Sequence, residues 1–464
     1  MRGGHPPHIP SGSDRLAARI LRELAGVLAL PLTILCRRIL YEAFWPTRWR
    51  VHLVIPIYKK AAVSDAGNYR GIHLTSIVSK CVERVIGQPL IAFLEAHGFG
   101  SAQWAFRKKS SARDLSLVCV SRWSLAFCRK CKMGAYLGDI SGAFDRVFKD
   151  FLLAKLSSVG VADVFLDFLN SYLEPRVGRV AIEDVLSDAM TLCDSIFQGT
   201  VLGPALWNPF FHDVVGPASF AGEEVALFAD DLTSFKAFPI DKPNNEIEEE
   251  MRATRSEVHR WGKQNRVSFD SDKEHINILH PLHGQGETFK LLGCPIDVKL
   301  TMSEAVDLIV ARARPKIKAL LRSRAFYSLV DLIVQIKTHI WGIIDYSHGC
   351  VLHASDTALA KIDHLQSAFV RELHVTEEFV FLVHNFAPGI TKRHWNFRIS
   401  SQESAWRVSS RYYESVAFLL PKLCLEAPQT TRNLFSELCC ATCPLLALPI
   451  RPHSCVQQAA RLCD

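Results

Sequence analysis

Three acidic residues supply the chain's most distinctive chemistry. Asp230 and Asp231 close the apolar run "VALFA". Successive strand residues point to opposite faces, so two adjacent acids cannot both decorate one wet surface. At least one must meet a lysine, an arginine or a divalent metal. Well upstream, Asp139 ends a second strand-like run, "KMGAYLGD". If the two strands are sheet neighbours, three carboxylates converge. Such a trio is what a pair of hard cations needs to align an attacking hydroxyl, a triphosphate and a departing pyrophosphate. Mg2+ is the natural ion, with oxygen ligands in octahedral geometry and phosphate oxygens completing its shell; Mn2+ is the alternative. Read alone, Asp-Asp after an apolar run is equally a turn or a cap, and Asp145 reads as the cap of the helix that follows it.

A triphosphate also needs donors. Lys59 and Lys60 end the strand-like "RVHLVIPIYKK", and Arg70 lies in "NYRGIHLTS". A guanidinium matches phosphate oxygens in pairs and lysine acts as a point charge, although strand-end lysines are also commonly solvated. Gln198 and Gly199, in "FQGTVLGP", offer an amide and a glycine past which backbone can approach a base or sugar; a simple turn is the alternative. Arg314, Lys318 and Arg322 recur at four-residue spacing, to track a phosphate backbone or to form a solvated helix face.

Elements of matching kind surround these residues. Helix is expected from Asp14 to about Phe44, with the apolar stretch 24–36 buried, since it is too short to span a bilayer. A strand then runs through 50–60, and a helix through 76–97 stops at Gly98. After the turn at 139–145 comes an amphipathic helix ending at Gly160. The acid pair sits in a hairpin, 245–265 is a charged helix, and "INILH" and "FKLLGCPI" are short strands. From Ser303 to Tyr346 the period is helical again, with Pro315 expected to separate two helices.

Composition narrows the function classes. Of 464 residues, 48% are hydrophobic and 22% charged, which fits a folded protein of several domains and not a disordered one. The net charge of +7 is concentrated: positions 46–113 hold eleven Lys and Arg against three Asp and Glu. A basic block of this kind suits a polyanion. The 14 cysteines form no even framework and no secretory signal precedes them, so the expectation is reduced thiols in an intracellular protein, nuclear or cytoplasmic, with no membrane contact. Cys128 and Cys131 form a CxxC without a partner pair and read as a loop. Cys439 or Cys440 with Cys443, His453 and Cys455 invites a zinc knuckle, but one residue between His453 and Cys455 is cramped for a tetrahedral site.

The blocks "VIPIYKK", "NYRGIHLTSIVSKCVERVI", "DISGAFDRV", "FQGTVLGPALWN", "FADD" and "LLGC" occur in that order and resemble the successive motifs of a non-LTR (LINE-type) retrotransposon reverse transcriptase. The resemblance covers about residues 14–350. It implies an α+β right-hand polymerase: a lead-in over 1–45, fingers over 46–135, a palm with an antiparallel sheet over 136–300 and a helical thumb over 301–350. A mostly helical C-terminal region follows over 351–464. It implies that RNA is the template, DNA the primer and dNTPs the substrates, with two Mg2+ ions held by Asp139, Asp230 and Asp231. Lys59 and Arg70 would contact the triphosphate, with Gln198 and Gly199 lining the nucleotide and template. Phe144 would gate the sugar against a 2′-hydroxyl, Lys273 would protonate pyrophosphate, and Leu292 and Gly293 would hold the primer end. Two positions depart from the pattern: Gly138 stands where a bulky apolar residue is usual, and Phe197 where proline is common. The alternative function is a nucleic-acid-binding remnant of the same fold that no longer polymerises.

Overall fold

The computed structural model describes residues 18–372, apart from 60–61, 98–101, 109, 184, 194–195 and 352, together with Gly12, Asp14 and Leu16. The Cys/His cluster of the tail and Lys60 lie outside the described residues. In chain order the strands are β1 (Val51–Tyr58), β2 (Tyr69–Leu74), β3 (Cys131–Asp139), β4 (Arg176–Ile182), β5 (Val185–Leu186) and β6 (Met190–Leu192). They continue with β7 (Glu224–Phe228), β8 (Asp231–Pro239), β9 (His275–Leu279), β10 (Phe289–Leu291) and β11 (Cys294–Ile296).

The chain divides into two compact units, the first comprising residues up to Leu115 and Arg122–Glu287. Its central sheet runs β7-β8-β3-β9, with every neighbouring pair antiparallel. β3 is buried along almost its whole length, as expected of a strand covered on both faces and paired at both edges. The helix Asn244–Gln264 carries a polar outer face and places Ile247 and Met251 against Phe238 and Ile278 of this sheet. The larger core gathers Trp207, Phe210 and Phe211 from helix Gly203–His212 with Leu227, Leu232 and Trp261.

A second sheet runs β2-β1-β4-β5 with β6 beside β4, and of the basic block it holds Arg70, on β2. β1 pairs antiparallel with β2 and parallel with β4. A parallel pair needs a long crossover, and here it spans over a hundred residues, too remote for local pattern to announce.

Helix is confirmed at the N-terminus as Ala18–Glu23 and Ala25–Tyr41, but the expected burial of 24–36 is not. Only Cys36 and Ile39 are buried in the longer helix, while Val27, Leu30 and Ile34 are exposed.

The second unit comprises Ser116–Ser121 and the residues from Thr288. It holds the β10–β11 hairpin and the helices Ser303–Arg322, Leu329–Ile336, Gly342–Val351 and Asp356–Glu372. Pro315 does not separate two helices; it lies inside Ser303–Arg322. An interior proline costs about 3 kcal/mol. The buried stripe of Val306, Ile309, Val310, Ala313 and Ile317 continues past it and holds the helix together. The break falls instead at Arg324–Phe326, a 3₁₀ turn.

Candidate active site

Phe228 pairs with Asp231, so only Ala229 and Asp230 turn the chain between β7 and β8. Two-residue hairpin loops require left-handed backbone, usually from glycine. Ala229 adopts it at φ +56°, at a cost of about 1–2 kcal/mol for an L residue. On the other side of β8 the antiparallel register sets Asp139 opposite Asp231. β3 and β8 are sheet neighbours, the condition on which convergence depended, so the three acids lie at one end of one hairpin and its neighbour.

Lys273 arrives on the segment that leads into β9, which docks against the end of β3. Asp270 N donates to Asp139 O at 2.9 Å and Ser141 N to Ser268 O at 3.0 Å, which ties residues 268–270 to the end of that strand. Lys273 Nζ then reaches Asp139 Oδ2 at 2.5 Å and Asp270 Oδ2 at 3.2 Å. Burial opposes its charge, but the hydrogen bonds and attraction of Asp139 and Asp270 prevail, and its pKa stands above the ordinary lysine value.

Negative charge is in excess here. Burial, and then the charge of Asp139, push the Asp230 carboxyl up to about 6, with Lys273 and Arg70 opposing. Burial and then the charges of Asp230 and Asp139 push Asp231 up to about 7. Among the described residues no three His, Cys, Asp or Glu side chains form a ready-made metal cage. At Asp139 the neutralising charge is the Lys273 ammonium. Half-buried carboxylates crowded by like charge nevertheless form an all-oxygen donor set that a hard divalent cation would relieve.

Arg70 stands on β2 opposite Ile57, exposed, and its charge reaches Asp230. The amide of Lys59 donates to Asn68 O at 2.8 Å, and its charge reaches Asp145. Asp145 is not a helix cap. It lies within the 3₁₀ turn Ala143–Arg146, and the N-cap of helix Lys149–Ser158 is Phe148. Its carboxyl is raised by burial, with Lys59 opposing.

Phe144 stacks on Trp207 with ring centroids 5.5 Å apart and planes 15° from parallel, and meets Phe106 edge-on at 6.4 Å. Gly199, at φ +108°, is needed for a close approach to the chain itself: a Cβ there would lie 2.5 Å from His73 O. Gln198 O accepts from His73 N at 2.9 Å, so this loop docks on β2. Phe197, the departure from proline, is buried edge-on to His52 at 4.9 Å. Leu292 and Gly293 form the turn of the β10–β11 hairpin in the second unit, at φ +49° and +82°, with Leu292 O accepting from Tyr346 Oη at 2.7 Å. Arg314, Lys318 and Arg322 are all exposed on their helix.

Four supporting residues escaped the sequence reading. Gln103 and Trp207 hydrogen-bond to the Ala229 peptide groups. Glu83 is buried and accepts from Val201 N at 2.7 Å, Leu202 N at 3.4 Å and Tyr172 Oη at 3.2 Å, anchoring the loop after Gly199. Burial raises its pKa despite these bonds. Glu274 accepts from Tyr136 Oη at 2.5 Å and His259 Nε2 at 2.7 Å beside Lys273. A signal existed for Glu83, an acid within the apolar stripe of helix Ile77–His97. Gln103 lies in a stretch without periodicity and carried none.

The family model described as reverse transcriptase (RNA-dependent DNA polymerase) matches residues 57–296. The chain is 26% identical over 388 residues to a probable RNA-directed DNA polymerase from transposon X-element of Drosophila melanogaster, covering 80% of this chain and 42% of that protein. It is 26% identical over 324 residues to the RNA-directed DNA polymerase from mobile element jockey of the same organism, covering 66% and 35%. The chain thus spans less than half the length of these relatives. Among solved structures, Candida albicans telomerase in complex with a fragment of telomeric RNA aligns with a TM-score of 0.41 at 12% identity, covering 79% of this chain and 70% of that one.

Proposed function

Since this chain belongs to the reverse transcriptase (RNA-dependent DNA polymerase) family, we propose that it is the polymerase portion of a non-LTR retroelement protein and copies RNA into DNA. The register that sets Asp139 opposite Asp231, with Asp230 in the adjoining turn, carries this reading. Residues 46–135 serve as fingers, 136–300 as palm and 301–350 as thumb.

The primer 3′-hydroxyl releases its proton to solvent as its oxygen attacks the α-phosphorus of a dNTP, the bond from that phosphorus to the α–β bridging oxygen breaks, and pyrophosphate leaves with the bonding pair. Asp139, Asp230 and Asp231 would hold two Mg2+ ions. Bound there, the ions supply Lewis acidity that lowers the hydroxyl's pKa and offsets the charge of the leaving group. Lys59 and Arg70 orient the triphosphate, and Phe144 sets an aromatic face against the sugar. Lys273, held protonated by its acidic neighbours, donates a proton to the departing pyrophosphate. Gln198 and Gly199 line the nucleotide and template, and Leu292 and Gly293 steady the primer end.

No observation favours an inactive binding remnant: every acid and donor of the site is present. Primer extension on an RNA template with Mg2+ and dNTPs tests the reading. Wild-type extension and at least about a hundredfold loss in Asp230→Asn are expected, the size of effect that removing a key electrostatic group produces. Extension by that variant at the wild-type rate would remove the assignment.

A further inference from the structure

Ala229 presents Asp230 from a backbone conformation that L residues rarely adopt, and two buried side chains hold it there. Ala229 N donates to Gln103 Oε1 at 3.1 Å. Ala229 O accepts from Gln103 Nε2 at 3.3 Å and from Trp207 Nε1 at 2.8 Å. Gln103 is 2% exposed and Trp207 0%. The peptide groups flanking the left-handed residue are therefore gripped on both sides by groups withheld from water.

Gln103 is itself fixed. Its Oε1 also accepts from Ala105 N at 2.9 Å. Its backbone lies alongside β7, where Trp104 N donates to Leu227 O at 2.9 Å and Leu227 N to Ala102 O at 2.7 Å. Residues 102–104 so form a short extra edge beside the strand that leads into the turn. Trp207 has a second contact, the stack on Phe144. One indole thus holds the acid-bearing turn by its N–H and braces the sugar-facing aromatic by its ring.

We propose that Gln103 and Trp207 are positioning residues of the polymerase site. They keep Ala229 left-handed and thereby aim the Asp230 carboxylate at the position shared with Asp139 and Asp231, without touching substrate. The inference rests on the polymerase reading and adds to it the parts that set its geometry. A misplacement of about 1 Å in such a site costs on the order of a hundredfold in rate. Buried side chains that only fill space would matter for stability, and relaxing the turn would not compensate for their loss.

Glycine supplies partial compensation, because it takes positive φ without strain and so leaves less for the grip to overcome. The test is single-turnover incorporation of one dNTP on a primed RNA template with Mg2+, with thermal unfolding measured in parallel. Gln103→Leu should lower the maximal rate by about a hundredfold while changing the half-saturating dNTP concentration by less than about threefold. Adding Ala229→Gly should restore at least about tenfold of that loss, relative to Ala229→Gly alone. Trp207→Phe keeps an aromatic ring to stack on Phe144 but removes the N–H together with part of the indole's bulk, so unfolding is read beside the rate. The rate should fall by about tenfold and be rescued in the same way, which keeps the test decisive if Gln103→Leu fails to fold. Wild-type rates in the folded single variants overturn the proposal, as does a loss that Ala229→Gly leaves in place. A wild-type chain that does not extend primers removes the polymerase reading itself, and this inference with it.

Discussion

The Tyr136 hydroxyl occupies the space that a side chain at Gly138 would fill: a Cβ there would lie 2.9 Å from Tyr136 Oη and 3.3 Å from Phe269 Cδ1. The two residues share a face of β3, two positions apart. The missing bulk at 138 lets the phenol reach Glu274, next in sequence to Lys273. Burial, and then the bond to Glu274, push the phenol's pKa far up, so it stays a donor. The departure at Gly138 is thus matched by a neighbour. Gly138→Leu should destabilise the protein by about 1–3 kcal/mol through overpacking, read from denaturant unfolding. Tyr136→Phe keeps the ring and should cost about 1 kcal/mol. A neutral Gly138→Leu would mean that the phenol can move aside freely.

Stability should depend on pH through the acid pair. Asp230 and Asp231 titrate at about 6 and about 7 in the fold, against about 4 in the unfolded chain. The folded state therefore holds more protons between these values. Stability from this source is fully present below pH 4 and is lost as pH rises through 6 and 7. In chelator, Asp231→Asn should melt higher than wild type at pH 8 and by a smaller margin at pH 5. Equal margins at both pH values would contradict the raised values.

Glu83 reaches the amides of Val201 and Leu202 from a helix distant in sequence. Its removal leaves those donors and the Tyr172 hydroxyl short of an acceptor. Glu83→Ala should cost about 1–3 kcal/mol or more, and Glu83→Gln, which keeps an acceptor oxygen, should cost less. Chemical denaturation of both variants measures the difference, and equal losses would show that the hydrogen bonds are not the cause.

Phe144 has one face on Trp207 and one edge at Phe106, so its orientation is fixed. If it gates the sugar, Phe144→Val should raise ribonucleotide incorporation relative to deoxynucleotide by roughly tenfold or more, a discrimination of the kind that a steric pocket supplies. Competing dNTP and rNTP incorporation reads this ratio. An unchanged ratio would take the gate away from this residue.

Much of the candidate site was legible because its signals are local. The acid pair ended an apolar, strand-like run, and the hairpin around Ala229 and Asp230 followed from it. What the sequence did not show depended on pairing across long separations. The parallel contact of β1 with β4 and the grip of Gln103 on Ala229 arise from segments over a hundred residues apart. Asp145 misled because an acid before a helix has the composition of a cap, while the chain makes a 3₁₀ turn first. Pro315 misled for a related reason: the local cost of a proline was outweighed by the apolar stripe on either side of it.

The most direct test of the central claim is Mn2+ binding, followed by electron paramagnetic resonance. The sample is the protein with a chain-terminated primer on an RNA template and the matching dNTP. About two ions per complex are expected, with the count falling in Asp139→Asn and in Asp231→Asn while both variants remain folded. Unchanged binding in both would show that these carboxylates do not hold the cations.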